Sequence, residues 1–256
     1  PADMPQTFYD RGYQSTSQSN IGWGYYDARE FELSCLQDED ASNIDRVGHR
    51  RWLLNPCMAK TGIGVADNRY TTYAFDKSRS DEFSYEAIAW PCAGSFPVED
   101  DFLGSDTPWS ITLNPDKYDW DAMGHSITLK RLSDGRTWTF NSSDTDKSGE
   151  YYNFKTNGYG VSNCFIFRPN PNSIEYHAGD QFVVTLSGGI YLEGTSTPAT
   201  INYQTNLISL KSKSEITLET TQTAKYRSPF TVSGVLKTDA GTPIVGAKIS
   251  LQRSYN

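Results

Sequence analysis

Positive charge, histidine and long apolar runs are all scarce in this chain, and each scarcity closes a class of function. Its 256 residues carry 31 Asp plus Glu against 23 Lys plus Arg, a formal net charge of -8. No run of Lys or Arg exceeds two residues, so nucleic acid or an anionic surface held by bulk charge is not an expected partner. No apolar stretch approaches the roughly 20 residues of a transmembrane segment. The chain opens at Pro1 without a signal-peptide pattern and reads as a soluble, processed or excised piece. Four cysteines, Cys35, Cys57, Cys92 and Cys164, lie far apart with no CxxC pair, which removes zinc-cluster and thioredoxin chemistry and leaves disulfide pairing open. G-x-S-x-G, HExxH, Walker A and GxGxxG patterns are also absent from the sequence, so serine hydrolases, zinc proteases and nucleotide enzymes have no support.

What is present is large and apolar. Aromatics make up 13% of the chain, with 16 Tyr and 6 Trp, too many for a disordered polypeptide. The length exceeds one typical domain of about 100–200 residues, so two domains, or one and a fragment, are expected. Ala28 to Leu36 places Phe31 and Cys35 on one helical face, and a second helix is expected from Ile44 to Leu54, capped by Ser42 or Asn43 and ended by Asn55-Pro56.

Beyond Thr61 the pattern changes to short β-branched and aromatic runs broken by Gly, Pro, Asn and Asp. Gly62 to Ala66, Tyr70 to Phe75, Ser110 to Leu113, Ser126 to Leu132, Thr137 to Phe140, Cys164 to Phe167, Gln181 to Ser187 and Thr200 to Tyr203 read as strands, with Asp134-Gly135 as a hairpin turn. Residues 105–210 are therefore expected to form an antiparallel β-sandwich. From 211 to 256 a strand Glu215 to Thr221, a strand Phe230 to Leu236, a turn at Asp239-Ala240-Gly241 and a strand Ala247 to Leu251 suggest part of an immunoglobulin-like module.

Chemistry is concentrated around one histidine. Of the three, His125 and His177 read as surface or strand-edge residues, whereas His49 lies in the dense segment Asn43 to Pro56 behind Gly48, which permits close approach of another backbone or a ligand. Asp38, Glu39, Asp40 and Asp45 precede it, so a carboxylate–imidazole pair can orient water, act as general base or offer two metal ligands. Arg46, Arg50 and Arg51 read first as ion-pair partners. Glu99-Asp100-Asp101 and Asp116 to Asp121 lack the D-x-D-x-D-G calcium pattern and read as solvated turns. Tyr25-Tyr26, Trp109, Trp120, Tyr151-Tyr152 and Tyr159 stand near Gly and Asp turns; most of them read first as core packing, and any that are exposed can stack on sugars or fill protein pockets.

The run V-G-H-R-R-W-L-L-N-P followed by G-I-G-V-A resembles the bacterial CAP superfamily, the SCP-like extracellular domain, and Ser19 to Gly24 resembles its G-E-N-(I/L) segment. Ala89-Trp90-Pro91, Pro108-Trp109-Ser110 and Ile166 to Pro169 resemble a β-sandwich that follows that domain in some bacterial secreted proteins, and the tail resembles bacterial surface immunoglobulin-like repeats. The resemblance implies an α+β chain: a CAP-like α-β-α sandwich over 1–104 lacking its first helix, the β-sandwich over 105–210, and the partial immunoglobulin-like segment over 211–256.

It also implies a cavity lined by two histidines and two acids, in some members zinc-bound. Here His49 matches one histidine and Asp38, Glu39 or Asp40 the acid, with Glu39 taken as the match and catalytic candidate. Asn20 survives from G-E-N, but Ser19 replaces the acid, and the second histidine would lie upstream of Pro1. The expected ligand set is His49, Asp38, Glu39, Asp40, Asn20 and Arg50, with zinc at His49 a weak prospect. The implied function is a secreted or cell-wall-associated binding protein whose partner is a surface protein, a glycan, a lipid or its own cleaved N-terminal segment. A hydrolase using His49 and a carboxylate is the rival.

Overall fold

The computed structural model describes residues 3–81, 84–98, 102–210, 214–218 and 234–238. The chain divides into two compact units, 1–208 and 209–256. The first begins with helix α1 (Gln6–Thr16), strand β1 (Ser19–Trp23), helix α2 (Ala28–Gln37) and the short helix α3 (Gly48–Leu53). Strands β2 (Gly62–Ala66) and β3 (Arg69–Tyr73) follow and complete an antiparallel three-stranded sheet in the order β1-β3-β2.

Helix α2 starts where the Asp27 side chain accepts the Glu30 N–H, an ordinary N-cap. Its apolar stripe, Phe31 and Cys35, packs on Tyr70. Gly22 of β1 is required there, since a Cβ would stand 2.6 Å from the Phe31 ring. The helix ends at Asp38, which adopts the left-handed region (φ 48°, ψ 38°) that Asp tolerates better than most residues. The helix expected from Ile44 is shorter. Val47 sits at φ 40°, and Asp40 accepts hydrogen bonds from Ser42 N–H at 2.9 Å and Asn43 Nδ2 at 2.6 Å, so 41–46 forms turns and α3 begins at Gly48.

The next strands are β4 (Ala87–Trp90), β5 (Gly94–Pro97), β6 (Trp109–Leu113), β7 (Tyr118–Trp120), β8 (Ser126–Arg131), β9 (Thr137–Phe140) and β10 (Tyr151–Lys155). They are followed by β11 (Cys164–Arg168), β12 (Gln181–Ser187), β13 (Ile190–Leu192) and β14 (Ile201–Ile208). One sheet has the order β10-β11-β6-β4 and the other β5-β14-β12-β8-β9, while β7 and β13 form a separate ribbon. All pairs in these sheets are antiparallel except the parallel pair β14–β5. The two larger sheets share one core, to which β6 contributes Trp109, Ile111 and Leu113, β11 Phe165 and Phe167, β8 Ile127 and Leu129, and β12 Phe182, Val184 and Leu186. Strands β4 and β5 lie before residue 104, yet pair with β6 and β14, so the sandwich recruits chain assigned by sequence to the first domain. In the second unit, β15 (Ser214–Leu218) pairs antiparallel with β16 (Gly234–Thr238). The expected turn at 239–241, the strand Ala247 to Leu251 and the cluster Glu99-Asp100-Asp101 lie outside the described residues.

The expected CAP-like α-β-α sandwich is corrected: the chain is β-rich, with three α-helices among the described residues. An α-β-α sandwich needs helices burying both faces of its sheet. Here α2 covers one face, α1 buries none of its residues, and Ile21 and Trp23 of β1 remain 52% and 76% exposed. No helix among the described residues is long and apolar enough to cross a membrane. All four cysteines are free, Cys35 and Cys164 buried, Cys57 and Cys92 exposed.

Candidate functional site

Asp38 and His49 meet where α2 ends and α3 begins. Asp38 is 2% exposed, and its carboxylate is fully engaged. Oδ1 lies 2.9 Å from His49 Nδ1, while Oδ2 accepts the backbone N–H of His49 at 2.9 Å and of Arg50 at 3.3 Å. Those amides belong to the first turn of α3, whose N–H groups have no partner within the helix, so one carboxylate both starts α3 and orients the imidazole. The hydrogen bond that His49 donates to Asp38 raises its pKa above the ordinary value; burial opposes this, and the charges of Asp38 and Asp40 add to it.

With Nδ1 held by Asp38, Nε2 is the nitrogen left for a ligand. His49 lines a cleft of about 310 Å³ together with Ser19, Asn43, Arg46, Trp52 and Phe75, among others. Trp52 and Phe75 are stacked at 3.8 Å between ring centroids, forming a flat apolar wall. Arg46 is turned toward Asn43 Oδ1 at 2.8 Å and Asp45 Oδ1 at 3.2 Å. On the far side stands Tyr159, whose ring explains Gly48: a Cβ at 48 would lie 2.9 Å from Tyr159 Cδ1. The close approach expected at Gly48 is thus made by an aromatic ring of this chain.

Of the acids preceding His49, Asp38 is the one that pairs with it. Glu39 instead accepts a hydrogen bond from Thr107 Oγ1 at 3.0 Å, and burial raises its pKa. Asp40 serves the turn at Ser42 and Asn43. Asn20, 3% exposed, donates from Nδ2 to the His49 carbonyl at 3.2 Å and ties β1 to α3. Ser19, at the position where the family pattern has an acid, donates to the Ser15 carbonyl at 2.8 Å.

Arg50 does not reach the cleft. It is fully buried, donates to the carbonyls of Leu36, Gln37 and Pro108 and to Ser110 Oγ, and burial pushes its pKa down to about 10. Arg51, also buried, donates to the carbonyls of Asn157 (2.9 Å) and Val161 (2.6 Å). The two arginines fasten α3 to α2, to the sandwich, and to the loop that carries Tyr159.

The other histidines differ from each other. His125, directly before β8, is buried and packed at 4.8 Å between ring centroids against both Phe154 and Phe165, so of the surface and strand-edge readings the strand edge holds. His177 is exposed, near Glu175 and Asp180. Among the aromatics near Gly and Asp turns, Trp109, Tyr151 and Tyr152 are core residues, in line with the core packing expected for most of that set.

Zinc does not fit the residues at His49. Nδ1 and both Asp38 oxygens are already engaged, Glu39 and Asp40 hold other partners, and one open nitrogen falls short of the three or four protein ligands of a stable site. Among the described residues no group of three or more His, Cys, Asp and Glu is placed to hold a metal ion. No family model matches the chain. No curated protein matches it either.

Proposed function

We propose that this chain is a secreted or cell-surface interaction protein that receives its ligand in the His49 cleft. The observation that carries the reading is the buried Asp38 carboxylate that fixes the imidazole with Nε2 left for the cleft. Beside it the Trp52–Phe75 stack offers an apolar wall. A ligand with an acceptor or anionic group for protonated His49 and an apolar part for the two rings matches both features, as a lipid or a protein side chain does. Ile21, half-exposed, extends the apolar surface at the cleft's edge.

The resemblance of V-G-H-R-R-W-L-L-N-P to the CAP superfamily supports an extracellular setting. Native mass spectrometry of the purified protein beside His49→Ala, each against its denatured mass, tests the reading. A ligand mass lost on denaturation and missing from the variant supports it, and two bare proteins contradict it.

The Asp–His pair also favours a second reading, a hydrolase in which neutral His49 activates water as general base. The two readings have opposite pH signatures. An anionic ligand binds better below the raised His49 pKa, whereas base catalysis grows above it. Turnover of p-nitrophenyl acetate that rises through that pKa and vanishes in His49→Ala selects the hydrolase.

A further inference from the structure

We infer that a second cleft, floored by Asn55 and walled by Trp120 and Tyr85, binds a neutral oligosaccharide. This cleft shares no lining residue with the His49 cleft and is larger, about 880 Å³ against about 310 Å³, within the usual range of ligand sites. Its walls are fixed in advance of any ligand. Asn114 donates from Nδ2 to the Tyr85 carbonyl at 2.8 Å and accepts the Asp116 N–H at 3.0 Å, which locks two sides together. On a third side, Arg51 grips the Val161 carbonyl.

The lining chemistry selects the class of ligand. Trp120 and Tyr85 are half-buried and line the cleft, and flat rings of this kind stack on the apolar face of a pyranose. Asn55 is 4% exposed; its Oδ1 accepts the Cys57 N–H at 3.1 Å, which fixes the amide's orientation, and its Nδ2 has no partner. A buried donor without an acceptor is costly, and a hydroxyl or acetamido oxygen beside it removes that cost. The charges select against an anion: the lining holds two aspartates, Asp81 and Asp116, against the single cation Lys77, whose Nζ stands 5.8 Å from the Trp52 ring centroid, and Asp81 is already held by Arg79 at 2.8 Å. Flat rings, amides and balanced charge together describe a site for an uncharged polyhydroxylated chain.

Calorimetric titration with cellotetraose, chitotetraose and mannotetraose tests this, using the parent protein, Trp120→Ala, Trp120→Phe and His49→Ala, each checked by thermal unfolding. At least one tetrasaccharide is expected to bind the parent. Trp120→Ala weakens that binding by about tenfold or more, Trp120→Phe weakens it less, and His49→Ala leaves it unchanged. Should Trp120→Ala melt early, the Trp120 indole resonance of the parent decides: it shifts on saturation if the sugar stacks there. The inference is overturned if none of the three sugars binds at millimolar concentration, if a stable Trp120→Ala binds as the parent does, or if the indole signal does not move. Because His49 plays no part, loss of this site leaves the reading of the first cleft intact.

Discussion

The sandwich and the three-stranded layer bury their apolar residues to very different depths. In the sandwich, Trp109, Phe140, Phe165, Phe167 and Phe182 are all fully buried, and Trp109 Nε1 still finds the Tyr176 hydroxyl at 2.9 Å. In the thin layer, Phe31, Cys35 and Tyr70 make a small core under α2, while Ile21, Trp23, Ile63 and Val65 stay exposed. The difference divides labour: one region supplies stability, the other supplies surface. Helix α3 joins them through Arg50 and Arg51, and both candidate clefts lie against its residues or those that follow it.

The contrast can be broken or sharpened in steps. Trp109→Ala is expected to lower global stability by about 3–5 kcal/mol in denaturant unfolding, as large-to-small changes in a closed core do; a loss below about 1 kcal/mol would erase the contrast. Gly160→Ala comes next. Gly160 sits at φ +71°, and a Cβ there would stand 2.3 Å from the Arg51 carbonyl oxygen. A cost of about 2–3 kcal/mol is expected, read from the denaturation midpoint, with loosening of the loop that carries Tyr159 seen in amide exchange.

Asp38→Ala removes three acceptor contacts at the junction and is expected to cost about 1–3 kcal/mol; equal stability would mean that the carboxylate does not hold α3. At the small end, Trp23→Ser on the open face is expected to change stability by no more than about 0.5 kcal/mol. A larger loss would show that this face is covered.

The Asp38–His49 pair also makes stability depend on pH. Because the folded-state pKa of His49 is raised, its contribution is full below the ordinary histidine value of about 6.5 and fades as pH rises through the raised value. The midpoint difference between the parent and His49→Gln should therefore narrow from acidic to alkaline pH. A difference that widens would contradict the assignment.

Much of the sheet content was legible because β-branched and aromatic runs with Gly and Asp turns leave a direct mark. Gly62–Ala66, Thr137–Phe140 and Gln181–Ser187 form strands with the bounds read from sequence. Helix α1 was not read from the sequence, although it carries Phe8, Tyr9 and Tyr13, and the structure leaves all three exposed. The α-β-α expectation extended a local motif to layers that this sheet does not have.

At the site, His49 stood out in its dense segment, but of the three adjacent acids the sequence reading took Glu39, whereas Asp38 is the one that meets the imidazole. What separates Asp38 from Glu39 is the left-handed turn at the end of α2, which aims successive side chains in different directions. Arg50 read as an ion-pair partner and was placed in the ligand set, since nothing local announces burial against Pro108 and Ser110 some 58–60 residues away. The Trp52–Phe75 wall likewise joins residues that only the fold brings together.

The central claim is that buried Asp38 holds His49 in a charged-ready, oriented state at the cleft. NMR titration of the His49 imidazole in the parent and in Asp38→Asn tests it most directly. The parent should titrate above the ordinary histidine value and Asp38→Asn clearly below the parent. Coincident titrations in the two proteins would show that Asp38 does not govern His49 and would contradict the claim.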